Sequence, residues 1–488
     1  MTFGTFPARH HLGVMQYNSI RRPAFGSLTA WLLTGCSLLS RPGAVEPNAP
    51  ASPYPYSRHV KGVTWDFSTL QSLRRAHGSD LWPCAWAVDG NLYCGWGDGG
   101  GFDGDSDNIG RVSLGFARIT GTPSRDNSGS FTGRNVWGDA PAYAEHQATF
   151  GGKIHTMISI DGVLYAYGSL WTETQTSKPI RQSNSGPVHT LIWSSDLGAT
   201  WRRAPWTNEQ LGSFLNFGPD NSGALDQFVY IYYSRAGDDN DIFLMRVRAT
   251  QLTADPGVPG VYEYLTGVDK DGEPVSWSLA EADAHAVFTD PQGAVADVVY
   301  DAPIGRFLLT SGHNPNRTAA TDSAGKVGLF EGPNPWGPWS TVGYYDDWGH
   351  LGRDSFGDYL GLRFPAKWIS ADGTALWAVF SSLGKYDSFN VVTARLRVAR
   401  TLPRLIFPGA VSELVAGQTV IAKGKGRRLS WSVERLRDEP HAIAAGLGGS
   451  ISFTVPADVT SGEVIRVTLR GRDGRVYRDY RVSAGTGQ

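Results

Sequence analysis

The chain has 488 residues, 44 Lys and Arg against 46 Asp and Glu, and a formal net charge of -2 at pH 7, so it exceeds one compact core and makes no global case for nucleic acid or an anionic membrane as main partner. A hydrophobic fraction of 41% excludes wholesale disorder, while 60 Gly, 17 Trp, 19 Tyr and 21 Phe favour short strands and tight turns over long helices. Three cysteines exclude a disulfide-knot scaffold and a four-cysteine zinc site.

The N-terminal segment reads as an export signal. Arg21 and Arg22 precede a mostly apolar stretch over 23–34 that is too short to span a bilayer. It ends in Leu33-Thr34-Gly35-Cys36, which resembles a bacterial lipobox and makes Cys36 the lipidation site. An ordinary secretory signal that happens to contain a cysteine is the alternative, and Met15 is a candidate start. The expectation is a lipoprotein-type signal over 1–36 and a flexible Pro-, Ala- and Ser-rich linker over 37–57. The protein is then exported and lipid-anchored to the outer membrane or cell surface, with a secreted or periplasmic form as alternative.

Residues 58–401 show a recurring pattern of a short aromatic or β-branched strand, an Asp-Gly-type turn and a second strand. The pairs are Trp82–Ala87 with Asn91–Gly97, Lys153–Ile160 with Val163–Ser169, Phe228–Ser234 with Ile242–Ala249, Ala296–Asp301 with Arg306–Thr310, and Lys367–Ser370 with Thr374–Ser381. Five such units predict an all-β, five-bladed β-propeller, whose blades bury their faces by stacking. Ser194-Ser195-Asp196-Leu197-Gly198-Ala199-Thr200-Trp201 matches the Asp-box of sialidase-like propellers, a structural turn on the non-catalytic edge. Pro335-Trp336-Gly337-Pro338-Trp339 is expected at the equivalent turn of the fourth unit. Alternating short strands over 402–488 predict a small C-terminal Ig-like β-sandwich. Its arginines, Arg466, Arg470, Arg472, Arg475, Arg478 and Arg481, form either a solvated face or a glycan-docking surface.

The first hairpin carries the candidate chemistry. Centred on Asp89, it sets Trp86 opposite Leu92, Cys84 opposite Cys94, Trp82 opposite Trp96 and Asp80 opposite Asp98, all on one face. Asp80 and Asp98 then emerge at one mouth. Two carboxylates there suit glycosidic cleavage: one protonates the leaving oxygen and the other serves as nucleophile or base. Repulsion between them separates their pKa values. Solvent-exposed loop acids or calcium ligands are the plainer alternative. Trp82, Trp96 and Trp171 are candidate sugar platforms; Glu145 and Asp226 are candidate helpers to the acids; His146, His313 and Arg317 are candidate substrate contacts. Tyr344–Arg353 and Lys385-Tyr386-Asp387 border the fifth unit. Asp103, Asp105 and Asp107 alternate as Ca2+ ligands can, or form a Gly-rich turn. Cys84 and Cys94 form either a disulfide or two buried thiols. No cofactor is required, Ca2+ being the one ion this pattern leaves open.

Residues Leu81–Phe102, with Phe214-Leu215-Asn216-Phe217-Gly218 and Pro335–Trp339, resemble a bacterial exported sialidase-like propeller family of largely unknown function. That family is related to endo-D-arabinanase-like glycoside hydrolases, and the likeness spans roughly residues 60–400. The resemblance implies that Asp80 and the Asp of Gly97-Asp98 form a catalytic mouth. Gly99-Gly100 departs from the Thr-Phe usual there. The resulting expectation is a hydrolase of an extracellular, arabinan-like polysaccharide or oligosaccharide, touching membrane only through a lipid anchor and binding no nucleic acid. The alternatives are a non-catalytic glycan-binding propeller, or a polysaccharide lyase using His155 with a neighbouring Tyr.

Overall fold

The structure is a computed structural model. It describes residues 51–104, 111–125, 130–138, 144–171, 189–208, 210–224, 226–235, 240–269, 272, 274–292, 296–312, 326–350, 361–381, 387–399, 403–406, 413–426, 428–436, 441–471 and 474–483. Cys36, Asp105, Asp107, His313 and Arg317, and the side chain of Trp171, lie outside the described residues. The described part is nearly all β, with a single α-helical turn at Leu70–Leu73.

After β1 (Val60–Asp66) the first sheet holds β2 (Asp80–Trp86), β3 (Leu92–Gly97), β4 (Gly115–Thr120), β5 (Thr132–Gly138) and β6 (His146–Gln147), paired in that order. The second holds β7 (Gly151–Ile160), β8 (Val163–Trp171), β9 (His189–Ser194) and β10 (Arg202–Arg203). The third runs β11 (Leu211–Phe214), β12 (Phe228–Ser234), β13 (Asp241–Arg248), β14 (Tyr262–Leu265) and β15 (Trp277–Ser278), with β16 (Ala286–Thr289) also on β13. The fourth holds β17 (Ala296–Asp301), β18 (Arg306–Gly312), β19 (Val327–Gly332) and β20 (Ser340–Tyr345). The fifth pairs β21 (Ala375–Phe380) with β22 (Asn390–Val398), and β22 with β1.

The leading strands touch in cyclic order: β2 on β7, β7 on β11, β11 on β17, and β2 on β21. Each sheet is therefore covered on both faces by its neighbours, which is why β3 (LYCGWG) and β18 (RFLLTSG) are buried almost throughout instead of alternating. Tight hairpins keep the strands in step. Ala87–Asn91 and Ile160–Val163 turn on Gly90 (φ 79°) and Gly162 (φ 78°), where a side chain would be strained, and Asp89 Oδ1 accepts the Asn91 N–H at 3.0 Å.

The Asp-box joins β9 to β10. Asp196 Oδ1 accepts from Thr200 N (2.9 Å) and Ser194 Oγ (2.7 Å), and Oδ2 accepts from Thr200 Oγ1 (2.6 Å). Trp201 stacks on Phe116 of the first sheet with ring centroids 4.0 Å apart, so the motif staples two sheets. Pro335–Trp339 occupies the matching turn between β19 and β20, with Trp339 buried.

Two expected units differ in detail. In the third sheet the leading strand is β11, one strand before the expected pair. In the fifth, residues 366–368 form a 3-10 turn, and Arg363, bridged to Val379, takes the innermost place.

The C-terminal region holds two sheets: β23 (Arg404–Ile406), β25 (Thr419–Lys425) and β28 (Ser450–Thr454) in one; β24 (Glu413–Val415), β26 (Ser430–Leu436), β27 (His441–Leu447), β29 (Val464–Gly471) and β30 (Gly474–Ser483) in the other. Trp431, Val433, Ile465, Val467 and Leu469 fill the layer between them. Arg466 binds Asp479 through two 2.9 Å hydrogen bonds and lies 4.3 Å from the Tyr477 ring centroid; Tyr477 in turn packs with Tyr300 of the fourth sheet. Arg466 is thus part of an internal joint, not a free glycan-docking face.

Candidate functional site

β2, β7, β11 and β17 all begin at one end of the cyclic arrangement, called here the mouth. Asp80 opens β2, and Asp98 directly follows β3. The hairpin keeps the expected register only at its turn half. Trp86 pairs with Leu92 and Cys84 with Cys94, but Leu81 pairs with Trp96 and Asp80 with Gly97. Leu81 (φ 75°) and Trp82 (φ 58°) are left-handed, and Pro83 has no N–H for the ladder, so one residue bulges out. Asp80 therefore does not stand directly opposite Asp98. Cys84 and Cys94 are joined as a disulfide, with Cα atoms 4.3 Å apart.

The bulge also overturns the expected tryptophan platforms. Trp82 and Trp96 are 0% and 1% exposed. Their indole N–H groups donate to Ser79 O and Gly99 O, each at 3.0 Å, and Trp82 packs edge-on to Phe102 and Phe389. They are core residues supporting the mouth from behind.

The two acids nevertheless share one electrostatic site. Asp80 is buried, and its Oδ1 has no hydrogen-bond partner among the described residues. Burial pushes its carboxyl up to about 7, opposed by Lys153, reinforced by Asp98 and Asp387, and opposed again by Arg111. Asp98 forms an ion pair with Lys153, whose ammonium also donates to Ser113 O at 3.1 Å. Gly97 makes room for this arrangement: a Cβ there would lie 2.8 Å from both Asp80 Oδ1 and Lys153 Nζ. One carboxyl favours its neutral form while the neighbouring carboxylate has a dedicated cation.

His155 is the bulged residue of β7, between Ile154 and Thr156, and its ring meets His189 at 5.6 Å between centroids. Burial holds both imidazoles low, His155 at about 3 and His189 at about 4, so both are neutral near pH 7. His189 shares a 2.9 Å hydrogen bond with Ser169 Oγ. Below this level the axis closes. Arg363 crosses it, and the cavity beyond, bordered by Thr156, Asn216, Asp297 and Phe364, has about 20 Å³, room for roughly one water. Any ligand larger than a water would lie across the mouth rather than along the axis at this level. At the same end, Asn208, Gln210, Arg235 and Glu281 border an open depression of about 340 Å³.

Several expected helpers lie elsewhere. Glu145 pairs with Arg118 (3.1 Å) on the outer strands of the first sheet, and His146 sits exposed on β6, the sheet's last strand. Asp226 precedes β12, at the end opposite the mouth, where it accepts from Tyr230 Oη (2.7 Å) and Phe228 N (2.8 Å); burial raises its carboxyl. β11 is the reason: it occupies the leading place assigned to β12 and so reverses the expected direction. Asp103 Oδ2 accepts from Asn135 N at 2.6 Å, tying its loop to β5. Among the described residues no group of three or more His, Cys, Asp or Glu is placed to hold a metal ion. Lys153, Arg111 and Arg363 were not singled out from sequence. The one available signal was a cation opening an otherwise apolar leading strand.

No protein-family model and no curated protein matches the chain. Among solved structures it is similar to an exo-β-1,3-galactanase from Phanerochaete chrysosporium (10% identity, 85% of this chain and 91% of that one, TM-score 0.35). It is also similar to a xylan β-1,4-xylosidase from Bacillus halodurans (8%, 84% and 91%, TM-score 0.34). A third is the family 117 glycoside hydrolase Zg3597 of Zobellia galactanivorans (8%, 69% and 90%, TM-score 0.33). Likenesses this shallow carry no argument about chemistry, which must be read from the chain's own residues.

Proposed function

We propose that residues 58–401 are a five-bladed β-propeller, that 402–488 are an Ig-like sandwich docked against it, and that the chain is an exported glycoside hydrolase of an extracellular, arabinan-like polysaccharide. The observation that carries the proposal is Asp80: a buried carboxyl, one oxygen of which has no hydrogen-bond partner among the described residues, raised to about 7, beside an Asp98 carboxylate held by Lys153. In this reading Asp80 is the general acid. Its proton passes to the glycosidic oxygen as the bond to the anomeric carbon breaks. Asp98 meets the developing positive charge as nucleophile or as base toward water. His155, His189 and Ser169 offer neutral polar groups to sugar hydroxyls. Export and a lipid anchor on Cys36 belong to the same proposal.

The test is to incubate the full chain with a panel of polysaccharides, arabinans included, and count reducing ends. Asp80→Asn and Asp98→Asn should each lower turnover by about 100-fold or more while glycan binding persists. Release of unsaturated, ultraviolet-absorbing ends would favour a lyase instead. Glycan retardation without chain shortening would favour a binding propeller. Unchanged turnover in Asp98→Asn would discard the site.

A further inference from the structure

Two leading strands break register at the level of the site. In β2 the break is at Leu81–Pro83, and in β7 it is at His155. β2 and β7 are the edge strands of their sheets, so their axis-side carbonyls have no ladder partner and are satisfied from elsewhere. Two such carbonyls, of Leu81 and His155, turn to the same side chain. Arg363 Nη1 donates to Leu81 O at 2.6 Å and Nη2 donates to His155 O at 3.1 Å. Its Nε lies 3.2 Å from Asp297 Oδ2 on β17. On its other side, the Leu81 N–H donates to Ser381 Oγ at 3.0 Å, again from the fifth sheet. The peptide beside Asp80 is thus clamped from the neighbouring fifth sheet, not by its own hairpin partner. The same guanidinium fixes the bulge two residues after Lys153, the cation of Asp98.

We infer that Arg363 is the positioning residue of the acid pair: one planar fork sets β2 against β7, and through them Asp80 against the Asp98–Lys153 ion pair. An arginine suits this, because its donors diverge in one plane and reach two carbonyls at once while its charge pairs with Asp297. The inference rests on the glycosidase reading only in its kinetic arm. The groups facing Asp80 are Lys153 from the second sheet, Asp98 and Arg111 from the first, and Asp387 from the fifth.

The experiment compares Arg363→Gln and Arg363→Lys with Arg306→Gln in the full chain. Arg306 is an equally buried arginine, ion-paired to Glu331 at 3.1 Å, that touches neither carbonyl. The first readout needs no substrate: the pH midpoint of Asp80, from carboxyl-carbon NMR or carbodiimide labelling read by mass spectrometry. In Arg363→Gln that midpoint should fall by about one unit or more, because a loosened bulge admits water to the carboxyl. Turnover should drop about 100-fold with KM changed only a few-fold. Arg363→Lys should recover part of both. Arg306→Gln should lower thermal stability yet leave the Asp80 midpoint and KM in place. An Asp80 midpoint unchanged in both Arg363 variants would overturn the inference; if Arg363→Gln does not fold, the lysine variant decides. A moved midpoint in a chain that cleaves no glycan would keep the positioning role and discard the glycosidase reading.

Discussion

At the scale of the residue, the site is a contrast between two carboxyls. Asp80, held at about 7 by burial, is more easily protonated in the folded chain than in the unfolded one. The folded state therefore holds the extra proton between the ordinary carboxylate range and about 7. Stability contributed by Asp80 is full below that window and is lost as pH rises through it. Asp80→Asn should consequently stabilise the protein relative to wild type at pH 8 but not at pH 4, by up to a few kcal/mol, while abolishing turnover. Calorimetric Tm values at the two pH values check the sign. In the proposed acid role turnover needs the protonated form, so its alkaline limb should fall near pH 7. Lys153→Met removes the largest opposing charge, and should move that limb to higher pH while lowering the maximum, which a pH–rate profile reads directly. Asp80 and Asp98 could be paired as candidates because they flank a hairpin whose length and turn are written locally. Lys153 and Arg363 could not, because their proximity is a property of three sheets meeting, and nothing in the spacing of 80, 98, 153 and 363 encodes it.

At the scale of the element, hairpin arithmetic worked until the backbone left the strand. Period-two alternation placed Cys84 opposite Cys94 but left a disulfide and two thiols both open, and the structure joins them; it misplaced Trp82 and Trp96, since two left-handed residues before Pro83 insert an extra position. Pro83 was the readable warning, as a proline inside a strand removes a ladder donor. Burial on both faces of β2 and β3 completed the error: aromatics that alternate toward a mouth in a two-layer sheet are core in a stacked one. Gly97 marks where the site tolerates no extra atom. Gly97→Ala should displace Lys153 from Asp98 and cut turnover about tenfold or more, with a Tm change small by comparison. The Asp-box is the converse case, a local motif whose structure matched its sequence in full. Asp196→Ala should cost about 1 kcal/mol of stability and leave turnover intact, as measured by urea unfolding and reducing-end release.

At the scale of the whole molecule, closure is made by the chain's two distant parts. β1 is hydrogen-bonded to β22 from Val60↔Val398 to Asp66↔Thr393, so residues 60–66 complete a sheet whose other strands come more than 300 residues later. Removing residues through Asp66 should abolish cooperative unfolding, followed by circular dichroism, although neither Asp80 nor Asp98 is touched. The nearly all-β character was readable from composition and alternation; the order of strands within the third and fifth sheets was not, because a leading strand as short as β11 or as irregular as the Arg363 segment has too little pattern to announce itself. The direction of β1 has one more outcome. It runs antiparallel to β22, from Val60 at the far end to Asp66 at the mouth, and the preceding Tyr56 lies beside Thr341 near that far end. The polypeptide thus joins the ring on its underside. The path of the chain before Val60 therefore lies at the end opposite Asp80 and Asp98, so a tag or surface attachment made beside Tyr56 would leave the acid pair unobstructed.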